Sequence, residues 1–257
     1  MHDKVIVQGY LIIVGLTMLE TIPLYSQDAY QQECEATILA ITERNGIILD
    51  QSIFYPTGGG QPGDAGQLIA DGKSVDILTT VKDRESGELI HVAGEGDIPF
   101  QVGDKVTAKI NWETRYKHMR MHTMLHLLCA VIPCGVTGGQ VGADKSRLDF
   151  DLGEFEVDKE QITEDLNKLI SENHPVTTQW ITDEELDNSP DLVRTMSVQP
   201  PRGVGKVRLL KIGESVDLQP CGGTHVKNTG EIGKMLVSNI KSKGKRNRRI
   251  NIVWDND

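Results

Sequence analysis

From Asn111 to Ile132 the chain runs through 22 residues without a proline or a glycine, and Pro133 and Gly135 close the run. That pattern predicts one helix, because the residues that break a helical hydrogen-bond ladder are confined to its far end. Inside it, His118, His122 and His126 recur at every fourth position. Residues four apart share a helix face with Cβ atoms roughly 5–6 Å apart, so one neighbouring pair can grip an ion. All three cannot, since the helical rise sets His118 and His126 about 12 Å apart along the axis. Spacing leaves the pairs 118/122 and 122/126 open, with His122 common to both.

A second pair of donors lies in Gln219-Pro-Cys221-Gly-Gly-Thr-His225, where two glycines allow a tight turn to aim a thiolate and an imidazole at one point. A soft sulfur ligand beside imidazoles favours zinc over magnesium or calcium, and two histidines from a helix plus this pair fill a tetrahedral shell. Each pair alone is also compatible with a plain surface helix or a plain turn. Together, in a chain with seven histidines, they point to a zinc site. A closed four-ligand site is more often structural than catalytic, so spacing argues for zinc more strongly than for chemistry.

The rest of the chain reads as short strands. Residues 36–41, 46–50, 74–78 and 105–110 are apolar runs separated by Gly, Asp and Pro turns, which predicts a small antiparallel β-barrel. Past the helix, a second helix is expected over about 158–170, with Ile162, Leu166, Leu169 and Ile170 on one face. Strand-like runs follow at 176–181, 206–212, 234–240 and 249–254, an order that fits an α+β unit. The expected division is therefore a β-barrel N-terminal domain over 18–110 and an α+β zinc-binding domain over 111–257. Residues 1–17 precede a second methionine, Met18, and read as an N-terminal extension. Their apolar run is too short to span a bilayer, so no membrane association is expected. Four irregularly spaced cysteines argue against a disulfide framework and for a reducing compartment, the cytoplasm.

The formal net charge is −10, yet Lys241, Lys243, Lys245, Arg246, Arg248 and Arg249 form a run of six bases without an acid. Such asymmetry suits a nucleic-acid contact, or a strand edge kept from aggregating by its lysines. One further loop, Ser52 to Gly66, holds the successive glycines Gly58, Gly59 and Gly60 followed by Gln61. It permits close backbone approach to a ligand but lacks the Gly-Lys-Ser/Thr of a phosphate-binding loop.

Phe54-Tyr-Pro-Thr-Gly-Gly-Gly-Gln61-Pro-Gly-Asp64, His122-Thr-Met-Leu-His126 and Cys221-Gly-Gly-Thr-His225 occur in this order. The combination resembles the free-standing alanyl-tRNA editing proteins of the AlaX family, over roughly residues 20–257. It is also similar to the editing part of alanyl-tRNA synthetase and, in its zinc-binding half, of threonyl-tRNA synthetase. Arg115, Met119, Arg120, His122, Thr123 and His126 match the family's helix pattern, with Met124 where alanine is usual. The resemblance resolves the register: it implies Zn2+ on His122, His126, Cys221 and His225, with His118 a neighbour. It implies the medium-length class, and a fold of barrel plus the editing domain common to threonyl- and alanyl-tRNA synthetases.

The implied activity is deacylation of tRNA(Ala) wrongly charged with serine, or with glycine. Gly58, Gly59, Gly60 and Gln61 are then expected to shape the wall that receives the substrate, with Thr137 and Gln140 as further contacts. Arg115, Arg120 and the basic run from Lys241 to Arg249 are expected to meet RNA phosphates. The oligomeric state is left open, a monomer included. Two other readings of the same residues are a non-catalytic zinc-stabilised RNA-binding module and a zinc hydrolase of a small ester or amide.

Overall fold

The computed structural model describes residues 20–189, 192–193 and 205–255, so the expected extension over 1–17 lies outside the described residues. The chain divides into two units: residues up to Gly58 with Pro62–Arg115, and Gly59–Gln61 with Tyr116–Asp257. The division thus falls a helical turn after the expected 110/111 boundary, and it moves the end of the glycine-rich loop into the second unit.

The first unit contains β1 (Ile22–Pro23), β2 (Glu33–Ile41), β3 (Gly46–Leu49) and β4 (Gln51–Ser52), then β5 (Gly66–Ala70), β6 (Lys73–Lys82), β7 (Leu89–Ala93) and β8 (Lys105–Ile110). Six of these close a barrel in the order β2-β3-β7-β6-β5-β8, and β1 pairs with β4 beside it. Along β2 the residues Cys34, Ala36, Ile38 and Ala40 are buried while their neighbours are not, the period of two that a strand imposes. They join Ile47, Leu49, Phe54, Leu68, Ile77, Val106 and Ile110 in the core, apart from Ala40, which is buried outside that cluster. Closure leaves the barrel no unpaired edge.

Two polar groups are sealed into this unit. On β7, His91 Nδ1 must carry a proton, because its partner at 2.9 Å is the Ile47 carbonyl. Its Nε2 therefore accepts from the Ser52 hydroxyl at 2.7 Å. Burial pushes the His91 pKa down to about 4, against the opposing hydrogen bond to Ile47. Arg115 is the other, and here the expectation of an RNA contact is corrected. The side chain is fully buried, its Nε lies 2.8 Å from Asp64 Oδ2, and its Nη2 pairs with the same carboxylate. Nη1 donates to the Ala29 carbonyl at 3.0 Å and Nη2 to the Ile53 carbonyl at 2.6 Å. With its donors spent inside the unit, no face of this guanidinium is left for a phosphate.

The helix α1 (Trp112–Val131) opens on Asn111, whose side chain accepts from the Thr114 N–H at 3.1 Å. Residues 121–129 are buried without interruption, so the helix has no solvent face along this stretch. The second unit continues with β9 (Gly135–Gln140), β10 (Lys145–Asp151), α2 (Lys159–Ser171), β11 (Val176–Thr182) and α3 (Asp183–Asp187). Then come β12 (Lys206–Ile212), β13 (Asp217–Pro220), β14 (Met235–Ser242) and β15 (Asn247–Trp254). One antiparallel sheet has the order β14-β15-β10-β9 and another β11-β12-β13.

Helix α2 starts at Asp158, which caps Gln161 N, and buries Ile162, Leu166 and Ile170, while Leu169 stays half-exposed. It is tied to β14 by Asn167, which donates to the Met235 carbonyl at 2.7 Å and accepts from Met235 N at 3.0 Å. The glycine-rich segment 135–140 forms β9 despite poor strand propensity, because β10 pairs with it on either side of a bulge at Thr137. Among the described residues no helix is long and apolar enough to cross a membrane.

Candidate metal centre

Four side chains from places a hundred residues apart converge in the second unit. Ligand atoms of His122, His126, Cys221 and His225 all lie within 4.8 Å of one another. The Cys221 sulfur is 3.2 Å from His225 Nε2 and 3.7 Å from His122 Nε2. A zinc tetrahedron with bonds of about 2.3 Å to sulfur and about 2.0–2.1 Å to nitrogen would put sulfur and nitrogen about 3.5 Å apart. The observed pair brackets that value, so the donor set fits a tetrahedral ion. His118 is buried on the same helix but does not belong to the group.

The local chain explains the convergence. Helix α1 brings His122 and His126 to one face, with ring centroids 5.5 Å apart. The opposite pair sits after β13, on a turn whose carbonyls at Cys221 and Gly223 both accept from Arg208 Nη1, at 3.1 and 2.8 Å. Gly223 must be glycine: a Cβ there would overlap the His122 ring and approach Gln61 Oε1.

Every ligand histidine uses Nδ1 for a protein partner, which leaves Nε2 for an ion. His122 Nδ1 donates to Gln61 Oε1 at 2.8 Å, His225 Nδ1 to Thr123 Oγ1 at 3.1 Å, and His126 Nδ1 to Asp217 Oδ2 at 2.8 Å. The roles follow from the partners: a carboxylate and an amide oxygen only accept, and the Thr123 hydroxyl proton is given to the Met119 carbonyl. Such outer contacts fix the tautomer and orientation of a ligating ring.

The electrostatics suit a cation. Burial would keep the Cys221 thiol neutral, but the surrounding imidazoles reverse this and hold it well below the ordinary thiol range. Burial opposes charge on His126, yet Asp217 and Cys221 outweigh it and push the pKa up to about 10. His225 is pushed down to about 3, by burial first, against the pull of Cys221. A divalent ion at the Nε2 atoms would compete with the proton of His126 and would meet Cys221 as a thiolate.

The residues expected to line a substrate wall fall in several places. Gln61 is wholly buried, spanning from His122 to Thr224, to whose hydroxyl its Nε2 donates at 2.8 Å. It holds the His122 ring and presents no surface. Gly59 and Gly60 are exposed at positive φ, Gly58 is half-buried, and the Gly60 carbonyl accepts from Val141 N at 2.8 Å. A Cβ on Gly60 would press on the Gly139 carbonyl and meet Gln140 Cα at 3.6 Å, so Gly60 and Gln140 are adjacent. Gln140 is exposed, with its Oε1 accepting from Arg147 Nε at 3.3 Å. The Thr137 hydroxyl donates to the Asp149 carbonyl at 3.1 Å and accepts from Asn247 Nδ2 at 2.8 Å, none of them a member of the histidine and cysteine group.

The basic run forms the hairpin of β14 and β15, with Lys241, Lys243, Lys245 and Arg246 exposed. Arg246 pairs with Asp151 at 2.9 Å, and Arg249 forks onto Asp149 at 2.7 and 2.8 Å. Arg248 Nη1 donates to the Gly244 carbonyl at 3.1 Å. Arg120, expected to meet RNA, instead gives Nε and Nη2 to the Ile232 carbonyl at 2.8 and 2.6 Å and stacks over Trp254. Asp217 as a ring partner carries no signal in the sequence, since it stands in no spacing pattern with the group; Thr123 stands inside the helix motif, but its pairing with His225, 102 residues away, is set by the fold.

Residues 207–251 match the family model described as the threonyl and alanyl tRNA synthetase second additional domain, and 22–114 the one described as tRNA synthetases class II (A). A Methanosarcina acetivorans protein named alanyl-tRNA editing protein AlaX-M is 37% identical over 88% of this chain and 96% of its own length. The Pyrococcus horikoshii alanyl-tRNA editing protein AlaX-L is 35% identical over 88% of this chain and 56% of that protein. The alanine–tRNA ligase of Pyrococcus furiosus is 33% identical over the same share of this chain but 25% of its own length.

Proposed function

This chain belongs to the AlaX family of alanyl-tRNA editing proteins, and from that premise we propose that it is a zinc-dependent deacylase of tRNA(Ala) mischarged with serine, and with glycine. The observation that carries the reading is the convergence of His122, His126, Cys221 and His225 within 4.8 Å. The need for such a step is physical. A pocket that activates alanine cannot exclude the smaller glycine, and it rejects an added hydroxyl only about a hundredfold. A second site that hydrogen-bonds the seryl hydroxyl can spare alanine by roughly 10⁴-fold or more.

A zinc ion held by these four residues would orient the aminoacyl ester or polarise it as a Lewis acid. The chain supplies the rest. Gln61, Thr123 and Asp217 hold the three imidazoles in the tautomer that turns Nε2 inward. Gly59 and Gly60, preceded in the chain by half-buried Gly58 and with Gln140 beside Gly60, offer an exposed backbone wall for the terminal adenosine or the aminoacyl group. Thr137, by its position after α1, is the contact for the seryl hydroxyl. Lys241, Lys243, Lys245, Arg246 and Arg248 form the phosphate contact, with Arg249 weakened in that role by its pairing to Asp149. The second unit is read as an α+β editing domain and the site of action as the cytoplasm, where charged tRNA is used.

The deciding measurement compares hydrolysis of Ser-, Gly- and Ala-tRNA(Ala) by zinc-loaded and chelator-treated protein. Release of serine and glycine, little release of alanine, and loss on chelation with the fold retained are expected. No hydrolysis of any of the three by the zinc-loaded protein would leave it an RNA-binding module.

A further inference from the structure

We propose that Asp217 is a positioning residue of the metal centre, the one anionic outer partner that fixes His126 and balances the charge of a divalent ion. The inference rests on the metal reading above. The three ligand histidines are held by unlike groups: His122 by the neutral amide of Gln61, His225 by the neutral hydroxyl of Thr123, and His126 by the Asp217 carboxylate at 2.8 Å. Asp217 is 5% exposed, and its other oxygen accepts from Gln219 Nε2 at 2.7 Å, so both oxygens are aimed and held. It is also the first residue of β13, paired in register with Ile212, so its backbone is fixed by the sheet.

A carboxylate is kept in such a place only against a cost, since a buried charge without a compensating partner is strongly unfavourable. Here the compensation adds up around an ion: one charge from the Cys221 thiolate and one from Asp217 offset the two of a divalent cation, leaving the buried cluster neutral. Hydrogen-bonding of the far ring nitrogen to an anion also makes the near nitrogen a better donor. Gln61 and Thr123 orient their rings without adding that charge. His126 is accordingly the imidazole whose bond to the ion depends most on its outer partner.

The test uses the full chain as wild type, D217N and D217A, each stripped of metal. Zn2+ affinity is measured by competition with a chromophoric chelator, and Co2+ is titrated while the sulfur-to-cobalt charge-transfer and ligand-field bands are recorded. Wild type is expected to bind one equivalent. D217N, of the same size but neutral, should bind about tenfold more weakly and D217A about a hundredfold, the range seen on losing such partners. The cobalt bands should shift in both variants. A purely structural role would lower the unfolding midpoint and leave the cobalt spectrum of the folded fraction unchanged. Equal affinities with superimposable spectra overturn the positioning role while the metal centre stands. If wild type binds neither ion, the metal reading itself falls and this inference with it. Should D217A not fold, D217N decides alone, and wild-type binding by it overturns the proposal.

Discussion

At the scale of single residues, what a side chain can do depends on where its hydrogen bonds already go. Cys221 contributes the sulfur of the donor set, and C221A is expected to lose Zn2+ in metal analysis and Ser-tRNA(Ala) deacylation together. Gly223→Ala tests the same centre without removing a ligand. Its methyl group would displace the His122 ring, so at least a tenfold loss of Zn2+ affinity is expected while circular dichroism stays native. Arg115 makes the opposite point. As a phosphate contact, Arg115→Met would raise KM for tRNA and leave stability alone. As the buried partner of Asp64 it should cost about 3–5 kcal/mol in denaturant unfolding, because a carboxylate is left uncompensated.

At the scale of elements, the barrel and the basic hairpin each carry a measurable property. His91 on β7 is neutral in the fold, with a pKa lowered from 6.5 to about 4, chiefly by burial. Unfolding lets it take up a proton at any pH below its unfolded value. The neutral state therefore favours the fold fully above about pH 6.5, and this advantage is lost as pH falls from 6.5 towards 4. The whole shift is worth about 3 kcal/mol at 1.36 kcal/mol per unit. Urea unfolding of the first unit at pH 7 and pH 4.5 should show this loss, and His91→Gln should reduce its pH dependence.

The hairpin answers to salt instead. Neutralising Lys241, Lys243 or Lys245, none of them in an ion pair among the described residues, should each lower the salt slope of tRNA binding by about one. Neutralising Arg249 should lower it less, since Asp149 already holds that charge.

At the scale of the whole molecule, all four ligands and all three ring partners fall in one of the two units. Metal binding stabilises only states that hold the ion, so the gain on loading belongs to that unit. Hydrogen exchange of zinc-loaded and chelated protein should differ at His122–His126 and Thr224–Val226, while the amides of β2, β3 and β8 keep their protection. Uniform loss across the barrel strands would mean that the two units unfold together.

The sequence by itself determined the helix from 112 to 131, the strand-like apolar run at 36–41 and the Cys221/His225 turn, while spacing left the helical pair open between 118/122 and 122/126. A run free of proline and glycine sets a helix, a short apolar run between turn residues sets a strand, and Cys-Gly-Gly-Thr-His sets a turn with two donors. It did not determine the strand β9, whose glycines carry no strand signal and which exists because β10 lies beside it. Nor did it reveal that Gln61 steers His122, that Asp217 holds His126, or that Arg115 and Arg120 are spent inside the protein. Those facts depend on partners 51 to 112 residues away. Such pairings have no spacing to read, since the fold alone decides which donor meets which acceptor once water is excluded.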